Sequence, residues 1–159
     1  MEYSTDYPKE ESWRLLISKI TISLPYLPPE TFSPNWRGFW ALRAKDGRRV
    51  KEDIHLVLYE RFGTKMPRFD KISLKFIVVV PDRRARDYDN FISRTKPLLD
   101  SIRDDYVKIK SMPAQLTWTG LVADDTPKYI CRPIDLEFRY EKGEKKTIIE
   151  ITPIGGRII

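Results

Sequence analysis

The sequence predicts an α+β domain, a small mixed β-sheet with helices packed on it, and three observations predict it. Short alternating apolar runs occur near the start, in the middle and near the end of the chain. A long helical pattern separates the first two runs, and a shorter helical stretch follows the second. The 159 residues, 41% hydrophobic and 33% charged, suffice for one domain over 1–159 with a single core.

Residues 1–12 are polar and aperiodic, and are expected to form a flexible tail. From Leu15 to Leu24 the chain alternates, with Ile20, Ile22 and Leu24 on one face against Lys19, Thr21 and Ser23, as in a half-buried strand that Pro25, Pro28 and Pro29 end. Ser33 to Phe62 reads as helical: Ser33-Pro34 is a start signal, Ile54, Val57, Leu58 and Phe62 recur at helical spacing, and Gly63 closes the stretch. Gly47 offers a point where it could divide into two helices. Lys71 to Val80 alternates and then becomes continuously apolar, which predicts a central strand. Beyond Asn90, the residues Phe91, Leu98, Leu99 and Ile102 suit a helix to about Arg103, capped by Asp89 or Asn90. Within it, Pro97 either makes a kink or marks where the regular part begins. Residues 104–119 show no pattern and read as an insertion containing a Met112-Pro113 loop. Gly120 to Pro127 is a short apolar piece ending in Asp124-Asp125. Ile134, Leu136, Phe138 and Tyr140 then alternate as a strand, Glu141-Lys142-Gly143-Glu144 reads as a hairpin turn, and Ile148, Ile149 and Ile151 form the returning strand.

The 29 Lys and Arg against 23 Asp and Glu give a net charge of +6, which favours an anionic partner such as nucleic acid. The single cysteine, Cys131, has no internal disulfide partner and no metal-ligand spacing around it, and reads as a packed thiol in a reducing cytoplasm. The acidic start lacks the basic-then-apolar order of a signal peptide, and no stretch is long enough to span a bilayer. The expectation is a cytoplasmic protein with no membrane partner.

The segment from Pro81 to Asn90 (PDRRARDYDN) sets guanidinium groups against two carboxylates two residues apart. Arginines attract phosphate, whereas close carboxylates repel each other unless a proton or a cation lies between them. On extended backbone Asp87 and Asp89 face the same way, and hard oxygens at that spacing suit magnesium. The bland alternative is a helix cap in a solvated turn. Asp124 and Asp125 form a second acidic pair; converging on the first through a shared sheet, they would supply the carboxylates of a metal-dependent phosphodiesterase. Lys96 lies seven residues after Asp89, about 10 Å along a regular helix and nearly on the same face. It is either a solvated lysine or a cation that steadies charge on a phosphate. The only histidine, His55, has no partners for nucleophilic chemistry or a zinc site, and no glycine-rich phosphate loop is present. Trp36, Phe39 and Trp40 could stack on bases, although aromatics near a helix start are more often core.

The segment Pro81 to Asn90, with Lys96-Pro97-Leu98-Leu99-Asp100, Gly120 to Asp125, and the opening Ile20 to Pro25 with Ser33-Pro34-Asn35, resembles the RusA family of Holliday junction resolvases. The resemblance implies a RusA-like, homodimeric, magnesium-dependent endodeoxyribonuclease, with manganese a substitute ion, that makes paired nicks in four-way DNA junctions during recombination and repair. By position it implies Asp87, Asp89 and Asp125 as metal-binding carboxylates, and Arg83, Arg84 and Arg86 as contacts to the DNA backbone. Metal-activated water would attack phosphorus in line, with Lys96 steadying the developing charge. The family's lysine usually falls one helical turn after the Asp-x-Asp, where this chain has Ser93, so Lys96 matches only across a short insertion. The alternatives are a branched-DNA-binding protein without cleavage and a nucleotide-sugar transferase, for which the chain is short.

Overall fold

The computed structural model describes residues 19–154. The expected tail over 1–12, and the expected strand residues before Lys19, lie outside them. The chain forms β1 (Ile20–Leu24), a 3-10 turn (Glu30–Phe32), α1 (Trp40–Phe62), β2 (Ile72–Val80), α2 (Tyr88–Arg94), α3 (Lys96–Ile102), β3 (Asp105–Val107), β4 (Gln115–Trp118), β5 (Asp135–Tyr140) and β6 (Lys146–Pro153). Four strands make a mixed sheet in the order β1-β6-β2-β5, with β2 parallel to β5 and the other pairs antiparallel. This is the small mixed α+β sheet that the alternating runs imply.

Alternation decides which face is buried. Ile22 and Phe76 both pair in register with Ile149, which lines up the inward residues of β1, β6 and β2. Onto that face α1 lays Val50, Ile54 and Leu58, and α3 lays Leu98 and Ile102, all essentially out of solvent. Each such side chain contributes about 1.5–3 kcal/mol by leaving water. A polar tie fastens helix to sheet at one end. The Tyr26 hydroxyl donates to Asp53 Oδ2 at 2.6 Å and the Thr147 hydroxyl to the Tyr26 carbonyl at 2.7 Å; burial, then the Asp53 bond, pushes the Tyr26 phenol well above its usual range.

The structure departs from the sequence expectations at five places. The helix does not start at Ser33-Pro34; Ser33 ends the 3-10 turn, and α1 begins at Trp40. Nor does Gly47 divide α1. A single interior glycine costs a helix only about 1 kcal/mol, and a Cβ at Gly47 would lie 3.2 Å from Phe32 Cζ, so the glycine admits that ring. Gly63 does close the helix, at φ 59°, its N–H donating to the Tyr59 carbonyl at 2.7 Å.

The third departure is the hairpin. β5 and β6 do not pair with each other; both pair with β2, on its opposite edges. The turn between them crosses the end of β2, with Glu141 N–H donating to the Val80 carbonyl at 3.1 Å and Gly143 N–H to the Pro81 carbonyl at 3.3 Å. Turn chemistry was legible, but pairing follows β2, which is buried on both faces from Phe76 to Val80. Fourth, the patternless 104–119 stretch contains the β3–β4 ladder, whose residues are mostly exposed and therefore carry no alternation. Trp118 anchors it by stacking on His55, ring centroids 3.8 Å apart, while His55 Nε2 donates to the Ser101 carbonyl at 3.0 Å.

Finally, the helix expected to run to Arg103 is broken at Thr95 into α2 and α3. Proline at 97 lacks an N–H and its ring would meet the carbonyl of Ser93, so an unbroken helix is excluded and Pro97 opens the second one.

Candidate active site

β2 delivers the chain into a turn organised by Asp82. Its carboxylate accepts the Arg84 backbone N–H at 3.0 Å, Arg84 Nε at 3.1 Å and Arg86 Nη2 at 2.9 Å. These bonds, the Arg84 side chain first, hold the Asp82 carboxyl far below the usual carboxylate range. Arg86 also donates to the carbonyls of Asp82 and Arg84, at 3.1 and 2.9 Å, and its side chain is only 13% exposed. It therefore buttresses the turn from inside. Arg84 is the opposite, 81% exposed, and Arg83 lies outside with its guanidinium 4.7 Å from the Tyr140 ring centre. Of the three arginines implied to hold DNA, two face outward and one is committed to shape.

Asp87 caps α2, its Oδ1 accepting the Asp89 N–H at 3.0 Å. The cap expected at Asp89 or Asn90 thus falls two or three residues earlier, because Asp87 is the last residue with extended backbone. Both Asp87 and Asp89 are exposed. Asn90 reaches the other way: the Ser33 hydroxyl donates to its Oδ1 at 2.5 Å, tying the Ser33-Pro34-Asn35 segment to α2.

The second acidic pair is carried by the loop between β4 and β5. The residues before it are nailed down: Leu121 N–H donates to the Ile102 carbonyl at 2.8 Å, Phe69 N–H to the Leu121 carbonyl at 2.8 Å, and Asp104 N–H to the Val122 carbonyl at 3.1 Å. Buried Asp104 accepts a two-pronged Arg68 guanidinium and the Gly120 N–H at 2.8 Å. From this clamp the loop presents Asp125 to Lys96, whose ammonium donates to Asp125 Oδ2 and Asp100 Oδ1, each at 2.9 Å. Partial burial opposes ionisation at both Lys96 and Asp125, but their mutual hydrogen bond and charge outweigh it, so the lysine titrates above its ordinary value and the carboxyl below. Farther along the same loop, the Ile134 carbonyl accepts the Tyr88 hydroxyl at 2.9 Å. The loop accordingly runs along the helix pair, from Lys96 at the start of α3 to Tyr88 at the start of α2.

Asp87 and Asp89 lie at the start of α2, joined only through the cap, whereas Lys96 at the start of α3 gathers Asp100 and Asp125. The argument placing Asp89 and Lys96 on one face of a regular helix does not hold, because the helix breaks between them. Among the described residues no three Asp, Glu, His or Cys side chains gather at metal-binding spacing; Asp125, expected beside Asp87 and Asp89, is engaged by the Lys96 ammonium. The donor chemistry of the first pair still suits magnesium, which takes one or two protein carboxylates and leaves its other positions to water and phosphate.

Three further residues join this flank without having been singled out. Asp100, four residues after Lys96, was legible as a helical ion pair, and Arg103 Nε donates to it at 3.3 Å. Buried Arg94 carried no such signal. Its Nε donates to the Pro28 carbonyl at 2.8 Å, its guanidinium sits 4.2 Å from the Phe91 ring centre, and it walls a cleft of about 270 Å³ with Arg84 and Arg86. Among the described residues, no helix is long and apolar enough to cross a membrane. The chain matches no protein-family model and no curated protein.

Proposed function

We propose that the protein is a magnesium-dependent endodeoxyribonuclease that nicks four-way DNA junctions in pairs, as a homodimer. The observation that carries this reading is the Lys96–Asp125 ion pair, which joins the start of α3 to the loop bearing the second acidic pair, 29 residues later in the chain. Arg83 and Arg84 hold the phosphate backbone, and Arg86 keeps the turn in the shape that presents them. Asp87 and Asp89 would hold the cation, Asp125 would complete its carboxylate set, and Lys96 would steady charge on the scissile phosphate. Bound magnesium, or manganese in its place, supplies Lewis acidity and a water of lowered pKa. A two-fold dimer accounts for paired cuts, because a four-way junction is itself nearly two-fold symmetric.

A second reading, branched-DNA binding without cleavage, is favoured by one feature. The arginine turn is held together by Asp82 and Arg86, with no hydrogen bond to the side chains of Asp87, Asp89 or Asp125. One assay separates the two: the purified protein with a synthetic four-way junction, with and without magnesium, beside Asp89→Asn. Symmetric magnesium-dependent nicks abolished by the substitution support the nuclease. A junction bound but never cut supports the second reading, and a junction neither bound nor cut rejects both.

A further inference from the structure

We propose that a groove along α1 holds a single strand of nucleic acid, with Trp40 as a stacking platform. This rests on the reading that the protein acts on DNA, and it adds a substrate feature: an unpaired strand leading to the nick.

The groove encloses about 530 Å³ between α1 and α3. Trp40, Arg43, Gly47, Arg48 and Lys51 line it from α1; their spacing puts them on one helix face about 16 Å long, room for about five stacked nucleotides at 3.4 Å each. That face is not the core face, which is Val50, Ile54 and Leu58. The core reading of the aromatics near the helix start therefore fails for two of them: Trp40 is 72% and Phe39 64% exposed, their ring centroids 5.7 Å apart. A large flat indole left in water at the mouth of a groove has a π-face to offer.

The charges discriminate among occupants. Lys51 is paired with Asp105 at 2.9 Å, and Arg103 with Asp100 at 3.3 Å. Arg43 donates its Nε to the Thr31 carbonyl at 2.7 Å and lies 5.1 Å from the Phe32 ring centre but has no carboxylate partner among the described residues, and Arg48 is exposed. Arg43 and Arg48 thus carry the groove's surplus positive charge, spread along its length beside an aromatic platform. A repeating phosphate backbone with stackable bases matches that pattern; an acidic peptide would supply charge without the flat faces. On the α3 side the groove is lined by Asp100, which shares Lys96 with Asp125. A strand lying in it would therefore run directly to the candidate site.

The test is a fluorescence titration of the full chain with a short oligothymidine across a salt series, with four-way-junction binding and nicking measured in parallel. Trp40 and Arg48 are exposed, so unchanged circular dichroism is expected for their variants. Oligonucleotide binding should quench tryptophan emission; Trp40→Ala should remove most of that quenching and weaken binding about tenfold, with Trp40→Phe retaining part of the affinity. Arg48→Gln should lower the slope of log affinity against log salt by about 0.7. Junctions bound and nicked, with oligonucleotide binding indifferent to all three substitutions, would overturn the groove and leave the nuclease standing. The expected variant effects without nicking would support the groove and reject cleavage. No binding to either DNA would reject both, and equal quenching by polyglutamate would make the groove a peptide site.

Discussion

Removing the Asp104 carboxylate should cost the protein about 3 kcal/mol, and the structure says why. Its side chain is 6% exposed and that of Arg68 26%; the two are joined by paired hydrogen bonds, with Gly120 N–H as a third donor to the carboxylate. Breaking a buried pair by deleting one partner costs about 3–5 kcal/mol, because the remaining charge is left without compensation. Water can reach the outer edge of Arg68, which places Asp104→Ala at the lower end. For a chain of this size that corresponds to roughly 6–12 °C in Tm. Urea denaturation of Asp104→Ala, Arg68→Met and the double variant measures the coupling directly; the double should lose clearly less than the sum of the singles. The pH dependence carries a second signature. Burial raises the Asp104 carboxyl, but the Arg68 bonds, the Gly120 N–H and the neighbouring guanidinium charges outweigh it and hold it below its ordinary value. The contribution is therefore complete above the unfolded pKa near 3.9, and is lost as pH falls from about 4 through the lower folded value. Asp104→Ala should flatten that acid limb. Additive single variants, or a loss under about 1 kcal/mol, would refute the account of the clamp.

Two other substitutions test neighbouring parts of the same argument. At Gly120 a Cβ would lie 2.4 Å from the Arg103 carbonyl carbon and 2.5 Å from the Ile102 carbonyl oxygen; Gly120→Ala must push the loop between β4 and β5 off the end of α3, and should destabilise by about 2–3 kcal/mol in thermal melts while displacing Asp125. Asp87→Ala should cost about 1 kcal/mol through the lost cap, whereas Asp87→Ser should restore most of that. Under the proposed function, Asp87→Ser should still fail to nick junctions, since a hydroxyl would replace the carboxylate proposed to hold the cation; full activity would reduce Asp87 to a cap.

The parts of the fold legible in the sequence were those whose burial is one-sided. Ile20, Ile22 and Leu24 alternate because one face of β1 meets the core and the other meets water, and Gly63 ends α1 because its backbone needs a positive φ. The β3–β4 ladder was invisible because it is exposed on nearly every residue, leaving nothing for periodicity to record. β5 and β6 looked like a hairpin because turn signals are local, whereas which edges pair is decided by a third strand lying between them. At the candidate site the acids, the lysine and the arginine turn could be named from residue types alone. That Arg86 turns inward could not, since it takes the folded turn to bring the Asp82 carboxylate and the carbonyls of Asp82 and Arg84 around it.

The break at Thr95 shows how one residue redirects a site. In a continuous helix Lys96 would follow Asp89 by about two turns and share its face, so the lysine and the first acidic pair would work as one unit. Pro97 forbids that continuity, and Arg94, drawn inward to the Pro28 carbonyl, together with fully buried Thr95, pins the junction between the two helices. Lys96 then belongs to α3, where Asp100 one turn on and Asp125 from the clamped loop both accept hydrogen bonds from its ammonium. The cation is therefore positioned by the Asp104–Arg68 clamp, which holds the loop, and only indirectly by the segment carrying Asp87 and Asp89. A substitution in the clamp should consequently disturb Lys96 and Asp125 together while leaving the arginine turn, with its own Asp82 scaffold, as it was.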